Sequence, residues 1–257
     1  MAPYGAPAWA DDLMARRRSG HKLASVARRL YIRMVRVYRT ISHEAAIVPA
    51  GLPHFDLDAA GEARVNELLR RDGGLPAEEA HALRRQVRLS VLAKWRERLL
   101  QERSMSRRAV GAVLSILWDW VRNGGRLTYR LTQVLIGHGC FGEHLCRIGR
   151  KATAQCHHCG AELDTAQHTL EECLAWAAKR RILFQSFGRD LLLYVVMPQM
   201  PRCEGTWRDM ASFCEQVTLQ KEAAERTRER ADSARIRRHW RRSRRRLAAL
   251  PAVPVVF

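Results

Sequence analysis

Lysine is scarce in a strongly basic chain. Of 45 cationic residues only five are Lys and forty are Arg, against 26 acids and a formal net charge of +19 over 257 residues. The scarcity matters because an ammonium is a point charge, whereas a guanidinium fork bonds phosphate oxygens in pairs and stacks on bases. Long apolar runs are missing too. The nearest, Ala109 to Trp118, stops at Asp119. That is well short of the roughly 18–20 residues of a membrane span, so no membrane partner is expected. The stretch Met1-Ala2-Pro3-Tyr4-Gly5-Ala6-Pro7 has no charged segment leading into an apolar one, which argues against a secretory signal. The glycine-rich Gly137 to Gly142 lacks the Gly-Lys-Ser/Thr of a phosphate loop. Few segments alternate with a strand period, and no internal repeat is found. What is present is enough for one or two packed domains: 47% of residues are hydrophobic, which excludes a wholly disordered chain.

The charge is concentrated in two blocks. Residues 13–43 hold nine cations (Arg16, Arg17, Arg18, Lys22, Arg28, Arg29, Arg33, Arg36 and Arg39) and no acid. Residues 221–250 hold twelve cations and four acids, a net +8. The rest of the chain is about neutral. Arg-dominated blocks flanking a neutral middle point to a polyanion, RNA or DNA. The alternative is a pair of solvated basic faces that keep the protein soluble.

Periodicity predicts a mainly α fold. Over 19–41, Leu23, Val26, Leu30, Met34, Val37 and Ile41 form one apolar stripe, with Lys22, Arg29, Arg33 and Arg36 as a neighbouring cationic stripe. Val48 to Pro53 reads as a break. Further helices are expected over 57–71, over 77–103 with Leu83, Val87, Val91, Trp95 and Leu99 on one face, and over 108–121. Two short helical pieces should flank the Gly137–Gly142 turn, and helices return over 174–222. From Lys221 the composition shifts to Arg, Glu and Ala. Arg235 to Arg246 packs eight Arg into twelve residues, and repulsion should leave it disordered until it meets an anion. The expected organisation is a helical region at 1–126, a metal module with flanking helices at 127–185, a helical region at 186–222 and an Arg-rich disordered tail at 223–257.

The sharpest local signal is Cys156, Cys159, His168 and Cys173, spaced C-x2-C-x8-H-x4-C. A C-x2-C turn brings two thiolates onto one tetrahedral ion and a second pair closes the site. Four protein ligands leave no open position, so the expected cofactor is structural zinc. Asp164-Thr165 can cap a short helix beginning near His168 and orient its imidazole. His144, His157 or His158 could replace a ligand. The alternative is that these are ordinary buried cysteines, the reading taken for Cys140, Cys146, Cys203 and Cys214. Seven cysteines in a cytosolic or nuclear chain are expected to be thiols rather than disulfides.

Gly137-His138-Gly139-Cys140-Phe141-Gly142-Glu143-His144-Leu145-Cys146-Arg147-Ile148-Gly149, then Cys156-His157-His158-Cys159-Gly160, then Asp164-Thr165-Ala166-Gln167-His168-Thr169-Leu170-Glu171-Glu172-Cys173, closely resembles the C-terminal part of the reverse transcriptase polyprotein of insect non-LTR (LINE-like, type-1) retrotransposons. Tyr4 to Ala10 and Tyr38 to Ser42 look like the segment following the polymerase palm and entering the thumb. Ser212 to Glu215 and Gln220 to Arg226 look like that family's tail. The resemblance covers nearly the whole chain. It implies a thumb/linker-like helical region followed by a Cys-Cys-His-Cys element that binds nucleic acid, in relatives that copy RNA into DNA at a nicked target. The departures are large. Polymerisation needs palm carboxylates holding two Mg2+, and Ala10-Asp11-Asp12-Leu13 only imitates the family's Tyr-Ala-Asp-Asp motif: ten residues precede its Asp-Asp pair, too few for fingers and palm. The family's endonuclease is absent as well. The chain looks like a C-terminal remnant with its own start codon.

The leading expectation is a non-catalytic nucleic-acid-binding, zinc-binding fragment in the nucleus, with the cytoplasm as the alternative location, possessing no catalytic residues. Phosphate contacts would fall to Arg28, Arg29, Arg33, Arg36 and Arg39 and to Arg235, Arg237, Arg238, Arg241, Arg242, Arg244, Arg245 and Arg246. Trp240 or Phe141 could stack on bases, with Phe141 read first as core. The alternatives are part of an RNA-directed DNA polymerase working in trans, and a protein-interaction module or inactive genomic relic.

Overall fold

The computed structural model describes residues 17–35, 41–71, 75–101, 107–123 and 127–232. Among the described residues the structure is helical and contains no strand. No helix of these residues is long and apolar enough to cross a membrane. The chain runs through α1 (Arg17–Met34), α2 (His43–Ala50), α3 (Phe55–Arg71), α4 (Ala77–Gln101), α5 (Arg107–Leu114), α6 (Leu117–Asn123), α7 (Tyr129–Ile136) and α8 (Gly142–Arg147). A π-helical turn follows at His168–Glu172, then α9 (Ala177–Phe187), α10 (Leu193–Val196) and α11 (Glu204–Ala231).

One buried cluster extends from Ala27 on α1 to Val217 on α11. The segments before, within and after the cysteine-rich stretch therefore share a core. Helices α3 and α4 form an antiparallel hairpin. Gly61 allows its close approach, since a Cβ there would sit 2.7 Å from Val91 Cγ2, and Asp56–Arg98 and Asp58–Arg88 ion pairs cross it. Helix α11 packs along α7 and α9. Its buried Trp207, Met210, Phe213, Cys214, Val217 and Lys221 recur at three- and four-residue steps.

Four sequence expectations are corrected here. The stripe read as the buried face of α1 lies outward: Val26, Leu30 and Met34 are 52%, 53% and 60% exposed. The buried face is Ala27, Tyr31 and Val35, with Ile32 beside it, one residue or about 100° further round the helix. Ile41, expected on the same helix, is buried but lies beyond its end at Met34.

Residues 43–50, where a break was read from Val48 onward, form helix α2 with Pro49 in its last turn. The true stop is Gly51, in the left-handed region at φ 65°, whose N–H returns to the carbonyls of Ile47 and Val48. The fully buried Trp120 supplies the remaining partner, donating its indole N–H to the Val48 and Pro49 carbonyls.

The shift in composition at Lys221 does not end helix structure. Helix α11 continues to Ala231 because acids interleave with the cations: Glu225 pairs with Arg228 and Glu229 with Arg150. The predicted 108–121 helix is divided at 115–116 into α5 and α6.

Candidate metal centre

The Cys156–Cys159 turn is built on backbone bonds. Gly160 N–H donates to the Cys156 carbonyl and Cys156 N–H to the Ala161 carbonyl, both at 2.8 Å. Gly160 takes φ 82°, a left-handed conformation that glycine adopts without the Cβ penalty. The turn thus folds back tightly enough to aim both thiols inward.

His168 and Cys173 come together by a less common route. Five residues along an α-helix rotate the chain about 500°, which would aim the two side chains apart. Here the turn is π-helical: the Cys173 N–H donates to the His168 carbonyl at 2.8 Å, an i to i+5 bond. The wider turn returns residue 173 toward the azimuth of residue 168. Thr165 Oγ1 accepts from the His168 N–H at 2.8 Å, giving the local cap expected of this segment.

The four ligand atoms, one from each side chain, lie within 4.8 Å of one another and could hold a metal ion. Cys156 Sγ and Cys173 Sγ are 3.9 Å apart, and Cys159 Sγ is 3.2 Å from His168 Nε2. The other ring nitrogen of His168, Nδ1, faces Glu172 Oε2 at 3.2 Å, which orients the ring and leaves Nε2 for the centre. Cys156, His168 and Cys173 are buried and Cys159 is half-buried.

The thiols differ in acidity. Burial raises the pKa of the Cys159 thiol, but the Ala161 N–H and hydrogen bonds from Cys156, Cys173 and His168 outweigh it and bring the pKa down to about 7. Burial, together with its thiol neighbours, pushes Cys173 up to about 12.

Arg180 and Lys221, which sequence reasoning missed, and Asp164, which it read only as a cap for the turn at His168, hold this hairpin in place. Arg180, buried on α9, donates to the Leu170 and Cys173 carbonyls at 2.8 Å, closing the C-terminal end of the π turn. Its positive charge interacts electrostatically with Cys173. Asp164 reaches back to Gly142, accepting that N–H at 2.9 Å and so capping α8. Lys221 of α11 pairs with Asp164 Oδ1 at 2.6 Å and donates to Thr169 Oγ1 at 3.1 Å. Gly142 is required by close approach: a Cβ would fall on the Ala154 carbonyl, 2.9 Å from its carbon. An Arg seven residues beyond the last cysteine, within an apolar helix pattern, is the one sequence signal that could have pointed to Arg180.

The remaining predicted positions separate as follows. His144 stacks on His138 at 4.4 Å and His158 lies against Trp176 at 4.8 Å, so neither joins the cluster, and His157 is exposed outside it. Of the four cysteines assigned to a small core, only Cys214 is buried. Cys140 and Cys146 are half-buried, and Cys203 is exposed just before α11. Phe141 is core, 1% exposed beneath Lys221. On α1, Lys22, Arg29 and Arg33 are exposed, while the Arg28 guanidinium is turned inward to the Ile41 carbonyl. Arg36, Arg39, Arg235, Arg237, Arg238, Arg241, Arg242, Arg244, Arg245 and Arg246 lie outside the described residues, as do Trp240, Asp11 and Asp12.

No protein-family model, curated protein or solved structure matches the chain.

Proposed function

We propose that this chain is a non-catalytic nucleic-acid-binding module stabilised by one structural zinc, comparable to the C-terminal region of the reverse transcriptases of non-LTR retrotransposons, and working on RNA or DNA in the nucleus. The observation that carries the reading is the convergence of Cys156, Cys159, His168 and Cys173. Tetrahedral zinc with three thiolates and one imidazole has S–S edges of about 3.8 Å and S–N edges of about 3.6 Å. The spacings of 3.9 and 3.2 Å lie close to these. A neutral imidazole and three thiolates around a divalent ion carry one net negative charge, which the buried Arg180 guanidinium offsets. With all four positions filled by protein, the ion would fix shape and leave no site for substrate.

Attraction for phosphate would come from the arginine-rich ends. Lys22, Arg29 and Arg33 already form an exposed cationic strip on α1. Titrating single-stranded RNA and duplex DNA with the full chain at about 50 and about 200 mM salt tests this, because neutralising phosphates releases counterions. Affinity should fall steeply as salt rises. A flat response would remove the reading.

A second reading, a protein-interaction module, is favoured by one observation: the apolar residues Val26, Leu30 and Met34 are more than half exposed beside that strip. It predicts Val26→Ser and Met34→Ser variants that keep their RNA affinity but lose a partner retained after nuclease treatment.

A further inference from the structure

The outward stripe on α1 has the spacing of a buried one. Leu23, Val26, Leu30 and Met34 follow one another at steps of three, four and four, close to the seam pattern of packed helices. At about 100° per residue they fall within a sector about 80° wide. Yet Val26, Leu30 and Met34 are more than half exposed, and Leu23 is half-buried. Aligned over about 16 Å of helix, they form a contiguous patch of the kind that marks an interaction site.

The two edges of the patch differ. Arg18, Lys22, Arg29 and Arg33 are all exposed and fill the adjoining sector of about 60°. None of them forms an ion pair among the described residues, and residues 13–43 contain no acid to answer them. The opposite edge runs into Ala27 and Tyr31, which are buried against the core. An occupant therefore meets apolar side chains and, on one side only, a row of cations.

That asymmetry separates the occupants. A phosphate backbone pairs with the cations but leaves Val26, Leu30 and Met34 in water. A lipid surface requires the apolar sector to sink between two polar edges, and one edge here is buried. A second copy is self-opposed: antiparallel pairing sets the two cationic rows against each other, and parallel pairing sets each row over the buried Ala27–Tyr31 edge. A helix of another protein, with its own apolar stripe and an acidic edge, covers the apolar residues and pairs the cations at once. We infer that the outward face of α1 seats an amphipathic helix of a partner protein, lined with Asp or Glu along one edge. The inference rests on the protein-interaction reading above and names the chemistry of the partner.

The test is fluorescence anisotropy of a synthetic helix as long as α1, 18 residues, titrated with the zinc-loaded full chain. The peptide carries leucines at three- and four-residue steps and glutamates along one edge. It should bind, and glutamine in place of the glutamates should weaken binding by at least about tenfold. A scrambled peptide of the same composition should fail, which separates a seated helix from general attraction to a chain of net charge +19. Leu30→Ser, at a side chain more than half exposed, should keep its circular dichroism and weaken binding by at least about tenfold. A double Arg29→Glu, Arg33→Glu variant should lose the glutamate peptide and gain one carrying lysines instead, a rescue that a misfolded chain does not give. No binding to the folded chain, equal affinity for the scrambled peptide, an unchanged Leu30→Ser variant, or no rescue by charge reversal would each overturn the inference. So would phosphatidylserine vesicles that bind through Leu30 where the peptide does not. The nuclease-treated pull-down separates the two levels. A partner still captured through Val26 and Met34 while the peptide fails sinks the acidic-helix inference alone; loss of both sinks the protein-interaction reading with it.

Discussion

Replacing Lys221 by Met should be among the most damaging single changes available outside the metal ligands. Lys221 and Asp164 are 1% and 5% exposed at their side chains, with Nζ 2.6 Å from Oδ1. Three separate pieces meet at this pair. Lys221 belongs to α11, Asp164 caps α8 through the Gly142 N–H, and Thr169 of the π turn donates to the same carboxylate and accepts from the lysine. Truncating the ammonium leaves a carboxylate buried with only the Gly142 N–H and the Thr169 hydroxyl to face it. Breaking a buried pair from one side costs about 3–5 kcal/mol, mostly from the charge left behind. Against a total stability on the order of 5–15 kcal/mol, that is about a fifth or more. Urea unfolding followed by circular dichroism, with zinc at equal concentration throughout, measures the loss. Asp164→Asn alone should be costly as well, since it strands the lysine. The double variant should cost clearly less than the two single costs added together, because neither charge is then left unpaired. A Lys221→Met cost below about 1 kcal/mol, or simple additivity in the double variant, would refute the claim that this pair clamps the metal hairpin to α11.

Other consequences follow from the same geometry. Arg180→Met orphans the carbonyls of Leu170 and Cys173 and removes a positive charge that acts on Cys173; zinc affinity by competition with a chelator should fall about 10–100-fold. Gly142→Ala forces a methyl into the Ala154 carbonyl and should cost about 1–3 kcal/mol in urea unfolding. His144 is held down to about 4 from 6.5 by burial first, then by His138, Arg147 and Arg150. Its folded state therefore favours the neutral ring, the unfolded chain binds the extra proton, and this contribution to stability is lost as pH falls from 6.5 toward about 4. The pH–stability curve of His144→Gln should be shallower than that of the parent across this window; parallel curves would contradict the assignment. Alanine at Lys22, Arg29 and Arg33 should flatten the salt dependence of RNA binding, each lost phosphate contact lowering the slope by about 0.7–0.9.

The helical architecture was readable because most helices carry strong signals at three- and four-residue steps, as Val91, Trp95 and Leu99 do on α4. The ligand set was readable for a different reason. Two cysteines three residues apart can converge through backbone geometry alone, so their partners need only lie nearby in the chain. The face of α1 was misread because Leu23, Val26, Leu30 and Met34 outweigh Ala27 and Tyr31 on any hydropathy count. Burial instead followed what α2 and α3 offered to pack against. The π turn was invisible because H-x4-C spacing does not state which helix type spans it. Lys221 and Arg180 were hidden among many cations. Only the tertiary fold distinguishes a charge that meets Asp164 or a ring of carbonyls from one that meets water.

The central claim is that a closed four-ligand zinc site organises the middle of the chain. Native mass spectrometry of the parent and of Cys159→Ser, paired with thermal unfolding, tests it directly. One zinc per parent chain, lost in the variant together with a lowered melting temperature and loosened structure around residues 150–175, is the expected result. A parent that is metal-free yet fully folded, with Cys159→Ser melting at the same temperature, would contradict it.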